Sequence, residues 1–173
     1  QRGADWYRRQ FASASSDQIC GEITPYYLFH LEAPARIQSL LPNVKLIVLL
    51  RDPVERALSQ YFHSRRLGLD QMDLEEAFSA EVSRLKNSTE VLKQGLPHLS
   101  HQQHSYVSRS RYEEQLRRFD QYFVSDQILL LKSEDLFSKP QFIWDTIIEF
   151  LGLKQIRCPQ LKPVYHGNGE SNH

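Results

Sequence analysis

The run VKLIVLLRDPVERALSQY, at residues 44–61, carries most of the information about how this chain folds. Residues 44–50 are apolar at all but one position, which predicts a strand covered on both faces in a parallel sheet. Asp52 is a favourable N-cap and Pro53 is favoured at the first helical position, so we predict a helix at residues 53–66. The run therefore predicts a buried strand that leads directly into a well-capped helix.

The rest of the chain alternates helical and extended patterns. Helices are predicted at residues 5–12, 32–41, 74–85, 106–123 and 141–151, and strands at 18–22 and 128–131. The polar residues 87–104 predict a long surface loop. This alternation indicates an α/β domain with a mainly parallel sheet, in which ligands bind beyond the carboxyl ends of the strands. Arg51 lies at one such end.

The chain has 173 residues, of which 40% are hydrophobic and 24% charged, as expected for one globular domain. Its formal net charge of +0 gives no overall positive field, so we expect no nucleic-acid partner. No run of about 18 apolar residues occurs, and no membrane segment is predicted within the chain. The two cysteines, Cys20 and Cys158, lack metal-ligand spacing and are predicted to be buried thiols.

Arg51 and Ser59 are candidate ligands for a phosphate group. Ser59 lies seven residues after Asp52, close to two helical turns, and therefore returns to nearly the same face of the helix. Arg51 offers a bidentate guanidinium and Ser59 a hydroxyl donor, a pair that suits one phosphate. The alternative is a structural turn in which Arg51 pairs with Glu55 and Ser59 faces solvent, and the spacing alone leaves both open.

The complete string LLRDPVERALSQY, at residues 49–61, resembles the 3′-phosphate-binding motif of sulfotransferases that use 3′-phosphoadenosine-5′-phosphosulfate. The resemblance implies a P-loop-like, three-layer α/β/α fold with a mainly parallel sheet. It also implies that Arg51 and Ser59 hold the 3′-phosphate of this donor, and that no metal is required. Tyr165, in the segment KPVYHGNG, loosely matches an aromatic residue that approaches the donor nucleotide; an ordinary surface tyrosine is the open alternative.

Residues 21–53 resemble the heparan sulfate N- and O-sulfotransferase branch and its bacterial relatives, in which a Glu opens an E-K-[ST]-[PA]-x-Y segment. The resemblance implies that Glu22 is the general base that removes a proton from the acceptor. Tyr26, Tyr27 and Phe29 are expected to dry this carboxylate partly and so raise its pKa. The Lys usual after the Glu is Ile23 here, so charge stabilisation or the acceptor is expected to differ.

Three histidines, His98, His101 and His104, recur at intervals of three residues in the predicted loop. A zinc site usually needs a defined helix or hairpin and a fourth ligand. We therefore interpret them as loop histidines or acceptor contacts and predict no metal site. Acceptor choice is assigned to this loop and to residues 68–73.

No PKxGT or GxxxxGK[ST] string, which would hold the 5′-phosphosulfate, occurs in the sequence. Residues 1–173 are therefore predicted to be a single sulfotransferase domain lacking its N-terminal strand, loop and helix, and inactive alone. The whole protein is expected to transfer a sulfuryl group to a hydroxyl or amine of a carbohydrate or small-molecule acceptor. A non-catalytic nucleotide-binding module and a P-loop small-molecule kinase are the alternatives. A bacterial cytoplasmic location is favoured over a Golgi lumenal protein with a removed anchor.

Overall fold

The computed structural model describes residues 3–160 and confirms the α/β class, because its helices are combined with a sheet in which two parallel strands pair. Short 3₁₀ helices lie at Ser108–Ser110 and Ser125–Gln127. The other elements, in chain order, are α1 (Gly3–Arg9), α2 (Tyr26–Phe29), α3 (Ala33–Leu40), β1 (Leu46–Leu50), α4 (Pro53–Arg66), α5 (Leu74–Ser79), α6 (Glu81–Arg84), α7 (Ser88–Lys93), α8 (Leu99–Gln103), α9 (Tyr112–Asp120), β2 (Ile128–Lys132), α10 (Ser133–Ser138) and α11 (Pro140–Leu151).

The described residues form two compact units. A helical unit contains residues 3–44 and 52–128, and a sheet unit contains residues 45–51 and 129–160. In the sheet unit, the Lys45 ammonium donates to the Phe150 carbonyl and lies 5.1 Å from the centroid of its ring. Helix α11 ends at Gly152, whose φ of 72° is left-handed and favours a residue without a Cβ. The predicted end of this helix is confirmed.

Strand β1 is covered less completely than the sequence predicts. Its residues alternate between half-buried and exposed, with Ile47 41% and Leu49 48% exposed. A parallel strand with two covered faces needs packed elements on both sides of the sheet. Residues 3–160 leave the Ile47 and Leu49 face accessible, so the prediction of a doubly covered strand is wrong for this part of the chain.

The core of the helical unit surrounds Tyr61. This ring meets that of Tyr106 edge-on at 5.9 Å, and Phe78 stacks on Tyr106 at 5.4 Å. Ala57 and Ala77 complete the buried cluster. Since Ala57 and Tyr61 are four residues apart on α4, the cluster fixes which face of that helix is buried.

Asp70 ties three segments of the helical unit together. Its fully buried side chain accepts two hydrogen bonds from the Arg84 guanidinium, at 2.6 and 2.9 Å, and one from the Tyr106 hydroxyl at 2.6 Å. These bonds hold the pKa of the Asp70 carboxyl well below its usual range. Burial and the bond to Asp70 raise the pKa of Tyr106 to about 12. Residues 68–73, assigned above to acceptor choice, are therefore anchored at Asp70.

Several predicted elements are absent or divided. Residues 18–22 form no strand, since the described sheet consists of β1 and β2 alone. Residues 87–104 form α7 and α8 instead of a loop, because Leu92 and His101 are buried and anchor these short helices. The helix predicted at 106–123 begins only at Tyr112, since Tyr106 is fully buried in the core before it.

The cysteine prediction is also wrong. Cys20 is exposed and Cys158 only partly buried, and both are free thiols. Cys20 lies in the irregular segment before α2 and is exposed there. The Cys158 amide donates to the Gln141 side chain at 3.1 Å, near the end of the described residues.

Candidate active site

The start of α4 is fixed by Asp52. Its carboxylate accepts hydrogen bonds from the Val54 and Glu55 amides, both at 2.9 Å, which confirms the predicted N-cap. These amides are the groups that a helix would otherwise present to an anion. A phosphate bound here would therefore be held by side chains rather than by the first amides of α4.

Arg51 and Ser59 have the predicted positions along the chain relative to β1 and α4. Arg51 directly follows β1 and is exposed, and Ser59 is exposed in the middle of α4. Arg51 belongs to the sheet unit and Ser59 to the helical unit. Each side chain is thus open to solvent within its own unit, as a binding role requires.

Arg56, in the same motif, has a role that the sequence did not reveal. Its Nε donates to Ser110 Oγ at 2.6 Å, one terminal nitrogen donates to the Gln60 side chain at 2.7 Å, and the other donates to the Tyr106 carbonyl. Ser110 Oγ also donates to the Pro53 carbonyl at 2.7 Å. Arg56 and Ser110 therefore hold residues 106–110 against the first turn of α4.

Glu81 also fixes this segment. Its buried carboxylate accepts hydrogen bonds from the Val107 and Ser108 amides, both at 2.7 Å. Two amide bonds to one carboxylate satisfy the start of the 3₁₀ helix Ser108–Ser110. No motif in the sequence singled out Glu81, because its partners lie 26 and 27 residues away.

Glu22 lies in the irregular segment between α1 and α2 and is exposed. Partial burial raises the pKa of Tyr27, and the charge of Glu22 and a hydrogen bond to it raise that pKa further. Burial and the charge of Glu22 likewise raise the pKa of Tyr7. Two phenols therefore lie near the Glu22 carboxylate. Ile23, the residue that follows Glu22, is 94% exposed.

Tyr26 and Phe29 pack against His101 rather than against Glu22. The Tyr26 hydroxyl lies 2.6 Å from His101 Nδ1, and the Phe29 ring stacks on the imidazole with centroids 4.2 Å apart. Of the three aromatic residues expected to dry Glu22, Tyr27 is the one adjacent to it. The region of α8, predicted as a surface loop, is thus joined to the segment that follows Glu22.

The other two histidines have structural partners. His98 Nδ1 accepts the His101 amide at 3.1 Å, and His104 Nε2 lies 3.0 Å from the Leu69 carbonyl. Among residues 3–160, no group of three or more His, Cys, Asp or Glu side chains is placed to hold a metal ion. In the same range no helix is both long and apolar enough to span a bilayer. Tyr165 lies outside the described residues.

Comparison with known proteins identifies one family. The sulfotransferase domain family matches residues 23–161, a range that begins one residue after Glu22 and includes Arg51 and Ser59. Human heparan sulfate glucosamine 3-O-sulfotransferase 6 is 31% identical over 158 residues, which is 90% of this chain and 42% of the relative. Human heparan sulfate glucosamine 3-O-sulfotransferase 3B1 is 34% identical over 157 residues, 90% of this chain and 36% of the relative.

More distant relatives extend the comparison. The membrane-associated sulfotransferase kil1 of Dictyostelium discoideum is 25% identical over 231 residues, which span 93% of this chain and 49% of the relative. The crystal structure of a sulfotransferase from Alicyclobacillus acidocaldarius superposes with a TM-score of 0.73 at 24% identity, covering 94% of this chain and 63% of that one. The chain thus shares this fold and spans less than half the length of these curated relatives.

Proposed function

The chain belongs to the sulfotransferase domain family, and from this premise we propose that the whole protein transfers a sulfuryl group from 3′-phosphoadenosine-5′-phosphosulfate to a carbohydrate hydroxyl or amine. The observation that carries the proposal is the family match over residues 23–161, which contains β1, the capped start of α4 and both candidate phosphate ligands. The match favours sulfuryl transfer over the phosphoryl transfer of a P-loop kinase.

The donor's 3′-phosphate is assigned to Arg51 and Ser59. Both side chains are exposed, and Asp52 already binds the first amides of α4. A guanidinium and a hydroxyl supply complementary donors for phosphate oxygens, with the guanidinium also supplying opposite charge. When bound, the donor would supply an activated sulfuryl group. Arg51 and Ser59 would hold its nucleotide end.

Glu22 is assigned the role of general base. An acceptor hydroxyl or amine must lose a proton as its lone pair forms the new bond to sulfur. The Glu22 carboxylate is exposed, and its charge adds to burial in raising the pKa of both Tyr27 and Tyr7. It is therefore accessible to an acceptor and able to receive that proton on a carboxylate oxygen.

The acceptor is proposed to be a sugar hydroxyl. Two of the relatives reported above are named as heparan sulfate glucosamine 3-O-sulfotransferases, and both align with 90% of this chain. Ile23 replaces the cation expected beside Glu22, so contacts to an anionic glycan must come from other positions. Heparan sulfate is accordingly the first acceptor to test, within a wider panel.

A preceding strand, loop and helix are proposed to complete the domain. The exposed Ile47 and Leu49 side chains support a missing packing partner for β1. The greater length of the relatives supports the same proposal. A Lys in that loop would balance negative charge as the bond between sulfur and the donor phosphate breaks. Residues 1–173 alone are then expected to transfer no sulfate.

A sulfate-transfer assay of the full-length protein tests this function. The donor is 3′-phosphoadenosine-5′-phosphosulfate, and the acceptors are heparan sulfate, chondroitin sulfate and a small alcohol. We expect transfer to a glycan, and a fall in kcat of about 10²- to 10⁴-fold for Glu22→Gln, as for loss of a general base. Glu149→Gln, an exposed change on α11, should leave the rate unchanged. Absence of transfer to every acceptor, or full activity of Glu22→Gln, would contradict the proposal.

A further inference from the structure

Four side chains from three segments of the helical unit form one cluster. Tyr26 and Phe29 belong to α2, His101 to α8, and Arg109 to the 3₁₀ helix that follows. The Arg109 guanidinium lies over the rings of Tyr26 and Phe29, 5.2 and 5.3 Å from their centroids. It also donates to the Gln102 carbonyl at 2.7 Å and to the His101 carbonyl at 3.3 Å. Arg109 therefore fastens the end of α8 to the aromatic face of α2.

The imidazole at the centre of this cluster is neutral. His101 is 4% exposed, and burial lowers its pKa to about 4, with Arg109 acting in the same direction. Burial also raises the pKa of Tyr26, which keeps its hydroxyl protonated. The short contact is therefore a hydrogen bond from the Tyr26 hydroxyl to His101 Nδ1, and the imidazole proton resides on Nε2. Both groups are uncharged at neutral pH.

Helix α2 depends on this cluster for its placement. Four residues are too few for a helix that is stable in isolation, so tertiary contacts must hold it. Tyr26 binds His101, Phe29 stacks on the same ring, and the Phe29 carbonyl accepts a hydrogen bond from Arg118 at 3.2 Å. Adjacent helical residues point about 100° apart, so Tyr26 and Tyr27 occupy different faces of α2. One of these faces is bound to α8. The other belongs to Tyr27, whose amide donates to the Thr24 carbonyl at 3.0 Å and whose pKa is raised by burial and by the Glu22 charge.

We propose that His101, acting through Tyr26, is a positioning residue for Glu22. Helix α8, which lies in the 87–104 segment assigned to acceptor choice, would then set the orientation of the base. This inference rests on the proposed function. His101 contacts α2 rather than the reacting atoms. Its effect reaches Glu22 through α2 and the hydrogen bond from the Tyr27 amide to the Thr24 carbonyl, two residues after Glu22. The proposal requires the Tyr26–His101 hydrogen bond to matter for turnover while leaving the binding of donor nucleotide unchanged.

The test compares Tyr26→Phe, His101→Ala, His101→Asn and the double variant Tyr26→Phe/His101→Ala in the full-length protein. Tyr26→Phe removes one hydroxyl but keeps the ring beneath Arg109. We expect kcat to fall about 10-fold in each of the Tyr26→Phe and His101→Ala variants, the rate equivalent of one hydrogen bond. The double variant should fall no further, because both changes remove the same bond. His101→Asn, which keeps an acceptor close to Nδ1, should recover much of the loss.

Two further measurements separate positioning from general damage. Affinity for 3′-phosphoadenosine-5′-phosphate, measured by calorimetry, should stay within about twofold of the wild type. Tyr122→Phe, a matched change at an exposed tyrosine, should leave kcat unchanged. Equal loss of nucleotide affinity and kcat, or additive losses in the double variant, would overturn the inference. If His101→Ala fails to fold, Tyr26→Phe and His101→Asn still decide the question.

A Glu22→Gln arm separates this inference from the proposed function. If Glu22→Gln abolishes transfer while Tyr26→Phe and His101→Ala keep wild-type kcat, the positioning role is wrong and the base assignment stands. If Glu22→Gln keeps full activity, the base assignment fails and the positioning role fails with it. The expected result is a large loss for Glu22→Gln and an intermediate loss for the two cluster variants.

Discussion

At Asp70 a single buried carboxylate joins the 68–73 segment, α6 and the Tyr106 core. The side chain is 0% exposed, and its charge is balanced by Arg84, whose side chain is 17% exposed. Removing one partner of a buried pair leaves the other charge uncompensated, which is more costly than losing an exposed pair. Asp70 is therefore the residue at which a one-atom change should most clearly reveal how the helical unit is held together.

We predict that Asp70→Asn lowers the free energy of unfolding by about 3–5 kcal/mol. The matched control is Asp5→Asn, whose ion pair with Arg8 is exposed at both side chains and should change stability by less than about 1 kcal/mol. Urea denaturation of the full-length variants measures both. Equal stability of the two variants would contradict the assigned role of Asp70.

The same pair predicts a pH dependence. The pKa of Asp70 is lowered in the folded state, so its stabilisation is complete above the unfolded-state pKa of about 4 and is lost as pH falls towards the folded-state pKa. The stability gap between wild type and Asp70→Asn should therefore narrow as pH falls below about 4. Denaturation curves at a series of pH values check this, and a gap that widens on acidification would contradict it.

Sequence motifs identified the candidate residues that belong to one local string. They did not identify residues whose partners lie far away along the chain. Arg51 and Ser59 stand in one recognisable motif, and Glu22 in another. His101 gains its role from Tyr26, 75 residues earlier, and Asp70 from Tyr106, 36 residues later. Such pairings depend on tertiary packing, which neither spacing nor composition encodes in a readable form.

Among the elements, the prediction was best where local signals were strong. Helix α4 begins and ends at the predicted residues, and its start is defined by Asp52 and Pro53. Helix α11 ends at Gly152 as predicted. Helices α2, α7 and α8 were missed because each has only four to six residues and is held by packing rather than by propensity. Residues 18–22 were assigned to a strand from local pattern alone, although strand formation needs a paired neighbour.

The N-cap of α4 gives a prediction at this scale. Asp52→Ala removes the acceptor of the Val54 and Glu55 amides and should lower the free energy of unfolding by about 1 kcal/mol. For Asp52→Asn, an equally good cap, the free energy of unfolding should stay within a few tenths of a kcal/mol of the wild-type value. Thermal unfolding of the full-length variants measures the difference. Similar losses in Asn and Ala variants would show that the carboxylate charge, and not capping, is what stabilises this position.

At the scale of the whole molecule, the family and the fold class agree with the predictions made from the sequence. The α/β class, the sulfotransferase family and the heparan sulfate sulfotransferase branch are confirmed by the parallel sheet and the relatives. The assignments of Glu22, Arg51, Ser59 and Tyr165 stay predictions. Binding of the donor nucleotide is the property that Arg51 and Ser59 are proposed to provide.

Calorimetric titration of the full-length protein with 3′-phosphoadenosine-5′-phosphate tests that property most directly. We expect saturable binding by the wild type, a loss of affinity of about 100-fold for Arg51→Ala and a smaller loss for Ser59→Ala. Arg66→Ala, a matched change at an exposed arginine at the other end of α4, should bind within about twofold of the wild type. Wild-type affinity in Arg51→Ala would contradict the assignment of the donor site.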